Sequence, residues 1–285
     1  MLNQINVFYP PEVPLMNDYL LGHSSAELER LKFQANILSP ITTRLLIESG
    51  LEEGMHVLDL GSGPGDVAML AGRLVGPTGS VTGIDRSPKA VELANFRAAE
   101  AGLRNVRFEV CDIQDFQSAS PFDCVVGRYV MIHQSDPVAF LRKAASLVKN
   151  GGTLALHEVF MSDIPMESFP NIPLLTDAGQ LIAAAFNTGG VHHGTAVHLI
   201  KHFSEAGLPQ PELFCQRHIG GGEHSFMYHW VAETLKTVYP HLISIGRVSA
   251  DPEYLETFED RLKAEAVASR VQIMGPNQIT AWVRL

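Results

Sequence analysis

From Met55 onward, short apolar runs alternate with stretches whose apolar residues recur every three or four positions. The runs at 57–60, 80–84, 106–110, 122–126 and 153–159 predict strands, each too short for a helix and rich in Val, Leu, Ile and Phe. Between them, 67–74, 87–102 and 136–148 carry helical spacing. Ser87-Pro88 and Asp136-Pro137 each pair an N-cap residue with a proline at the first helical position, and Gly102 closes the earlier of the two helices. Asn150-Gly151-Gly152 reads as the turn before the strand at 153–159. Strands that alternate with helices of this length form a parallel, doubly wound sheet.

Upstream, Ser24 and Glu27 have capping-box spacing, and Leu28, Leu31, Ala35 and Leu38 continue a helix that Pro40 is expected to stop. A second helix, 41–48, ends before Gly50. Downstream, helices are predicted near 174–187 and 196–206, a strand at 212–217, helices at 224–245 and 252–268, and a last strand at 279–284. The predicted architecture is α/β: a doubly wound, mostly parallel seven-stranded sheet with a helical lid from the N-terminal and late segments. Its parts are an N-terminal lid segment at 1–50, a ligand-binding core at 51–160, and cap helices with the final strand pair at 161–285, all within one domain.

Composition narrows the partners and the compartment. With 46% hydrophobic and 18% charged residues, the chain can bury a large core. A net charge of -10 with no run of Lys or Arg argues against a nucleic-acid partner, because nothing broad and positive would neutralise phosphates. No apolar segment approaches the roughly 20 residues that span a bilayer, and Met1-Leu2-Asn3-Gln4-Ile5 lacks the basic head of a signal peptide. No membrane partner is expected. Cys111, Cys124 and Cys215 lie far apart and read as reduced thiols of a cytoplasmic protein. A homodimer is compatible with these features.

The segment Asp59-Leu60-Gly61-Ser62-Gly63-Pro64-Gly65-Asp66 carries most of the chemistry. A glycine-rich turn after the first strand of such a sheet lets backbone approach a ligand closely. A dinucleotide fingerprint wants glycine at the sixth place, which here is Asp66. Carboxylates at Asp59 and Asp66 suit a ligand with a cationic amino-acid end and no phosphate, as in S-adenosylmethionine. Asp85, beside Arg86 at the end of the second strand, can accept both hydroxyls of a ribose. Asp112 after the third strand can accept an adenine amino group while Ile113 packs on the ring. Alternatively, Asp85 and Asp112 only cap the turns that follow them.

These motifs resemble, in order, the signature of class I S-adenosylmethionine-dependent methyltransferases. Gly127-Arg128-Tyr129-Val130-Met131-Ile132-His133, then Asp136-Pro137 and Asn150-Gly151-Gly152, are similar to the fourth-strand region of a subgroup that modifies small molecules. The resemblance covers about residues 19–160, and more loosely Ala281-Trp282. It implies S-adenosylmethionine as cofactor and a small-molecule methyl acceptor. It also implies that Tyr19 and Gln34, from the segment folding over the cofactor, touch its methionine end.

Methyl transfer is an in-line displacement, so the protein supplies positioning and, for a protonated acceptor, a general base. His133 is the candidate base, with a hydrogen-bonded wall histidine as the alternative. Arg128 is a candidate for the reacting edge or for the cofactor carboxylate, or is structural. Glu158 orients substrate or cofactor, or is an ordinary strand residue. Eight of the twelve histidines follow residue 190. His193, with His192, is a candidate to face the substrate. His198 and His202 have metal-ligand spacing, but no nearby Glu or Cys pair completes a site, and no metal is expected. Phe226, Tyr228 and Trp230 line an apolar acceptor pocket or belong to the core. Two other activities fit the same features: a non-methylating cyclisation or elimination on this fold, and methylation of protein or RNA.

Overall fold

The structure, a computed structural model, describes residues 25–161 and 166–285, with side chains from Phe33 onward apart from that of His193. The chain opens with a helix, α1 (Ser25–Glu48), and enters the sheet at β1 (His56–Leu60). There follow α2 (Asp66–Leu74), β2 (Ser80–Asp85), α3 (Pro88–Glu100), β3 (Val106–Val110), β4 (Phe122–Arg128), α4 (Pro137–Ser146) and β5 (Val148–Phe160). The later elements are β6 (Glu167–Phe169), α5 (Pro173–Thr188), α6 (Leu199–Glu205), β7 (Glu212–Gln216), β8 (Ile219–Gly220), α7 (Met227–Ser244), α8 (Pro252–Ala268), β9 (Gln272–Met274) and β10 (Asn277–Arg284). Short 3-10 turns at Met131–His133 and His193–Val197 complete it.

Seven strands form the main sheet in the order β3-β2-β1-β4-β5-β10-β7. β1 to β5 are parallel, and β10 runs antiparallel to both of its neighbours. The order reverses beside β1, which opens a crevice at the carboxyl ends of β1 and β4 where such sheets bind ligands. Both faces are covered, which is why the central strands read as unbroken apolar runs. Leu58, Val125 and Leu154 pack with Phe140 and Phe203 on one side, whereas Val57, Val126 and Ala155 pack with Leu45, Ala68 and Ala94 on the other.

A third apolar core lies over the crevice. Leu175, Ile182, Phe186, Val231, Leu235, Phe258 and Leu262 bury one another, and Phe33 and Ile37 of α1 pack against them. The late helices and the start of α1 therefore share one apolar core, while the rest of α1 packs on the sheet.

Four local expectations change. Pro40 does not break the first helix, and α1 runs through it. Pro40 and Asn36, whose carbonyl loses its donor, both face solvent, while Leu38, Ile41 and Leu45 are fully buried. Hydration of one carbonyl thus costs less than giving up that packed face. The predicted turn Asn150-Gly151-Gly152 lies inside β5, where the strand bulges against β4 and Gly151 takes φ 78°. Leu285 holds the bulge: its N–H donates to the Gly152 carbonyl at 2.9 Å, and its carbonyl accepts the Gly151 N–H. The helix expected at 196–206 is a 3-10 turn followed by the short α6. A second sheet, β6-β9-β8, was not expected, its strands being two or three residues long.

Candidate active site

The glycine turn follows β1 directly, with Gly61, Gly63 and Gly65 all at positive φ. A side chain on Gly63 would project into open space, so its absence leaves room for a ligand against the backbone. Gly65, the left-handed N-cap of α2, differs. A Cβ there would lie 2.6 Å from the Phe108 ring, so this glycine lets helix and sheet approach each other and does not line the cleft.

Gly61, Ser62 and Gly63 form one wall of a cleft of about 470 Å³. Asp59, Asp85, Arg86, Asp112, Ile113, Arg128, Gln34 and His133 also line it, so it gathers the predicted site residues apart from Gly65, Tyr19 and His193. Tyr19 and the side chain of His193 lie outside the described residues.

Asp85 braces the turns around it and lines the cleft. Its carboxylate accepts the Gly63 N–H at 2.9 Å and the Ser87 N–H at 2.8 Å, one on each oxygen. Each oxygen keeps a second lone pair for the cleft. Asp112 likewise holds the Gln114 N–H at 2.9 Å while it lines the cleft.

Asp66 departs from its expected role. It faces Arg97 at 2.6 Å and Arg128 at 3.9 Å, so its charge is neutralised within the protein. Asp59 also lines the cleft, and its Oδ2 is buried without a hydrogen-bond partner, like Oγ of Ser62. Burial pushes the Asp59 carboxyl up to about 8, against the pull of Arg128 and of the Ala68 N–H. A buried acid with one unpartnered oxygen, a bare glycine backbone and strand-end acids facing one cleft fit a cationic adenosyl ligand.

The raised Asp59 has a consequence for stability. The folded chain keeps a proton that the unfolded chain releases near pH 3.8, so this residue's contribution falls as pH rises towards about 8. Asp59→Asn is expected to raise the melting temperature of the ligand-free protein at pH 8 by several degrees, through a few kcal/mol. The difference should close near about pH 4. Thermal melts of both proteins across this range check it.

Arg128 ends β4, and its Nη1 donates to Oγ1 of Thr42 at 3.4 Å. That hydroxyl begins a buried network. Thr42 donates to Nδ1 of His157 at 3.0 Å, and Nε2 of His157 donates to Oε1 of Gln278 at 3.1 Å. The same Oε1 accepts the Tyr129 hydroxyl at 2.5 Å. Because Oε1 can only accept, His157 carries its proton on Nε2. Burial and the neighbouring Arg128 push His157 down to about 3, so it stays neutral.

Tyr129 has φ 57°, an unusual conformation for a bulky residue and one often found where function demands it. The turn Met131–His133 follows. Glu158 lies beneath this turn, fully buried, and accepts the N–H groups of Val130, Met131 and Ile132 at 3.2, 2.9 and 3.4 Å. Burial pushes its carboxyl up to about 8 against these donors. Neither expected role of Glu158 matches this arrangement.

His133 lies between two spaces. It lines the cleft and also an apolar cavity of about 70 Å³, as do Gln34 and Tyr129. Met161, Met166, Ile182, Phe186 and Trp230 form much of that second wall. Burial pushes His133 down to about 4, assisted by Arg86 and His192, so the imidazole is neutral near pH 7. His192 reaches the turn through its backbone, donating to the Ile132 carbonyl at 2.6 Å. Of the three aromatic residues singled out in the sequence, only Trp230 lines the cavity, whereas Tyr228 is core and its hydroxyl donates to Gly222.

A family described as a methyltransferase domain matches residues 51–192. Aklanonic acid methyltransferase DauC of Streptomyces sp. (strain C5) is 36% identical over 157 residues, 53% of this chain and 70% of that protein. The ubiquinone biosynthesis O-methyltransferase of Xanthomonas campestris pv. campestris (strain B100) is 36% identical over 105 residues, 36% of this chain and 42% of its own length. Coclaurine N-methyltransferase, solved with N-methylheliamine and SAH, aligns over 86% of this chain and 72% of its own, with a TM-score of 0.52. At 15% identity that likeness shows a shared fold.

Proposed function

We propose, from the premise that this chain belongs to the class I S-adenosylmethionine-dependent methyltransferases, that it methylates an O, N, C or S atom of a partly apolar metabolite, with His133 taking the acceptor proton. The carrying observation is that His133, Tyr129 and Gln34 line both the ligand cleft and the apolar cavity beside it. The enzyme's cofactor is S-adenosylmethionine, which when bound supplies an electrophilic methyl group on a sulfonium.

The residues divide the work by chemistry. Asp85 and Arg86 would hold the ribose side, and Asp112 with Ile113 the adenine. Gly61, Ser62 and Gly63 would offer backbone and hydroxyl groups to the amino-acid end. Asp59 would meet its ammonium group, and Arg128, with Gln34, its carboxylate. A neutral His133 can accept the proton that leaves the acceptor as the new bond to the methyl carbon forms. The apolar wall of Met161, Phe186 and Trp230 excludes water from that step.

The relatives' names support a small-molecule acceptor, as aklanonic acid is in DauC's name and ubiquinone biosynthesis in the other's. The net charge of -10 supports a metabolite over a nucleic acid, and the reading includes action in the cytoplasm. Among the described residues, no helix is long and apolar enough to cross a membrane. The N-terminal segment and the late cap helices are read as a lid over the acceptor, within the same domain as the 51–160 core.

An acceptor screen tests this. Purified protein with S-adenosylmethionine would be offered apolar phenols, carboxylic acids, amines and thiols, with S-adenosylhomocysteine release as the readout. Turnover of apolar acceptors with one ionisable group is the expected result. Turnover confined to RNA or protein would overturn it, as would conversion of acceptors without S-adenosylhomocysteine.

A further inference from the structure

We propose that Glu158 is a positioning residue for methyl transfer, a buried carboxyl group that folds the turn 129–133 around its two oxygens and so sets where His133 meets the acceptor. The inference rests on the reading of His133 as proton acceptor. Four observations converge on it. Glu158 is fully buried, in the long strand β5. The hydrogen bonds that hold its carboxylate are three successive amides, those of Val130, Met131 and Ile132. These amides follow a residue at positive φ, Tyr129, with Val130 in the right-handed region, and this alternation makes successive N–H groups converge as an anion-binding concavity. The turn then closes on His133, whose N–H donates to the Val130 carbonyl at 3.2 Å.

A buried carboxyl group is costly, and an apolar residue of similar size would pack here without that cost. What an apolar residue cannot do is hold three amides in one orientation. Without the carboxyl oxygens, those donors would be buried and unpaired, and the strained backbone at Tyr129 would lose what offsets it. Tyr129 and His133 line both cavities, so a relaxed turn would misplace the two walls shared by cofactor and acceptor. Glu158 itself lines neither cavity and acts only through the turn.

Glu158→Gln keeps the shape but leaves one oxygen for three amides and adds donors that oppose them. The expected result is a fall in kcat of about 10- to 30-fold, from misplacement of the base. Affinity for S-adenosylmethionine should stay within about two-fold, and KM for the acceptor should change less than kcat. The deciding readout is coupling, because residues acting as a unit are non-additive. In a His133→Ala background, Glu158→Gln should cause no further loss of turnover. A full additional loss in that background overturns the proposal, as does unchanged kcat in the single variant. Near-native turnover by His133→Ala would instead contradict the base assignment itself. Should Glu158→Gln melt below the assay temperature, Glu158→Asp, which keeps both carboxyl oxygens one methylene short, is compared in the same two backgrounds.

Discussion

Replacing His133 by alanine is expected to lower kcat by about 100-fold or more while affinity for S-adenosylmethionine stays within about two-fold. The selectivity follows from where the side chain lies. His133 forms part of both cavity walls, but the groups proposed to hold the cofactor come from α1, β1 and the turn after it, the end of β2, the segment after β3 and the end of β4. The pH profile should carry a second mark. With His133 pushed down to about 4 by burial, Arg86 and His192, the imidazole remains a proton acceptor well below the usual histidine range. The acid limb of kcat/KM for the acceptor in the native enzyme should therefore appear near about 4, and not near the ordinary histidine value of 6.5. Steady-state kinetics of both proteins across pH, with saturating cofactor, would measure the loss and the limb together. An acid limb near the ordinary value would place the essential group elsewhere.

Replacing Asp85 by alanine should weaken binding of S-adenosylmethionine by about 3 kcal/mol, roughly 100-fold. Two losses combine. The charged acceptor for the ribose hydroxyls disappears, and so does the brace that joins Gly63 to Ser87. The second loss loosens the glycine turn where the backbone must approach the ligand. Equilibrium titration of the purified variant checks it, and unchanged affinity would remove Asp85 from the site. Asp85→Asn keeps one oxygen acceptor and should fall between the two.

The two expectations differ in how far the sequence could reveal them. The place of Asp85 was legible because it is set by a strand end that alternation marks, and one of its two partners, Ser87, lies two positions on. The glycine turn was legible for a similar reason, since positive φ at Gly61, Gly63 and Gly65 leaves a compositional trace. The strands of the main sheet followed from apolar runs separated by helical spacing.

Glu158 was not legible in this way. Its partners lie 26 to 28 positions earlier, and nothing in the local pattern of β5 distinguishes a carboxylate that faces solvent from one that fills a nest of amides. Tyr129 carries no mark of its positive φ, because aromatic residues seldom adopt it. The network through Thr42, His157 and Gln278 spans separations of 115 and 121 residues, so it exists only once the sheet and α1 have met. Pro40 misled in the opposite direction. Its local cost is real, but the buried face of α1 outweighs it. Asp66 shows that sign alone is a poor guide to a ligand, since Arg97 comes from the following helix to neutralise it.

Most depends on what the cleft beside β1 holds. Calorimetric titration of the purified protein with S-adenosylmethionine, S-adenosylhomocysteine and NAD tests this directly. The expected result is binding of both adenosyl compounds, lost in step in Asp85→Ala, with no heat from NAD. Binding of NAD in their place would contradict the reading of the glycine turn and the roles built upon it.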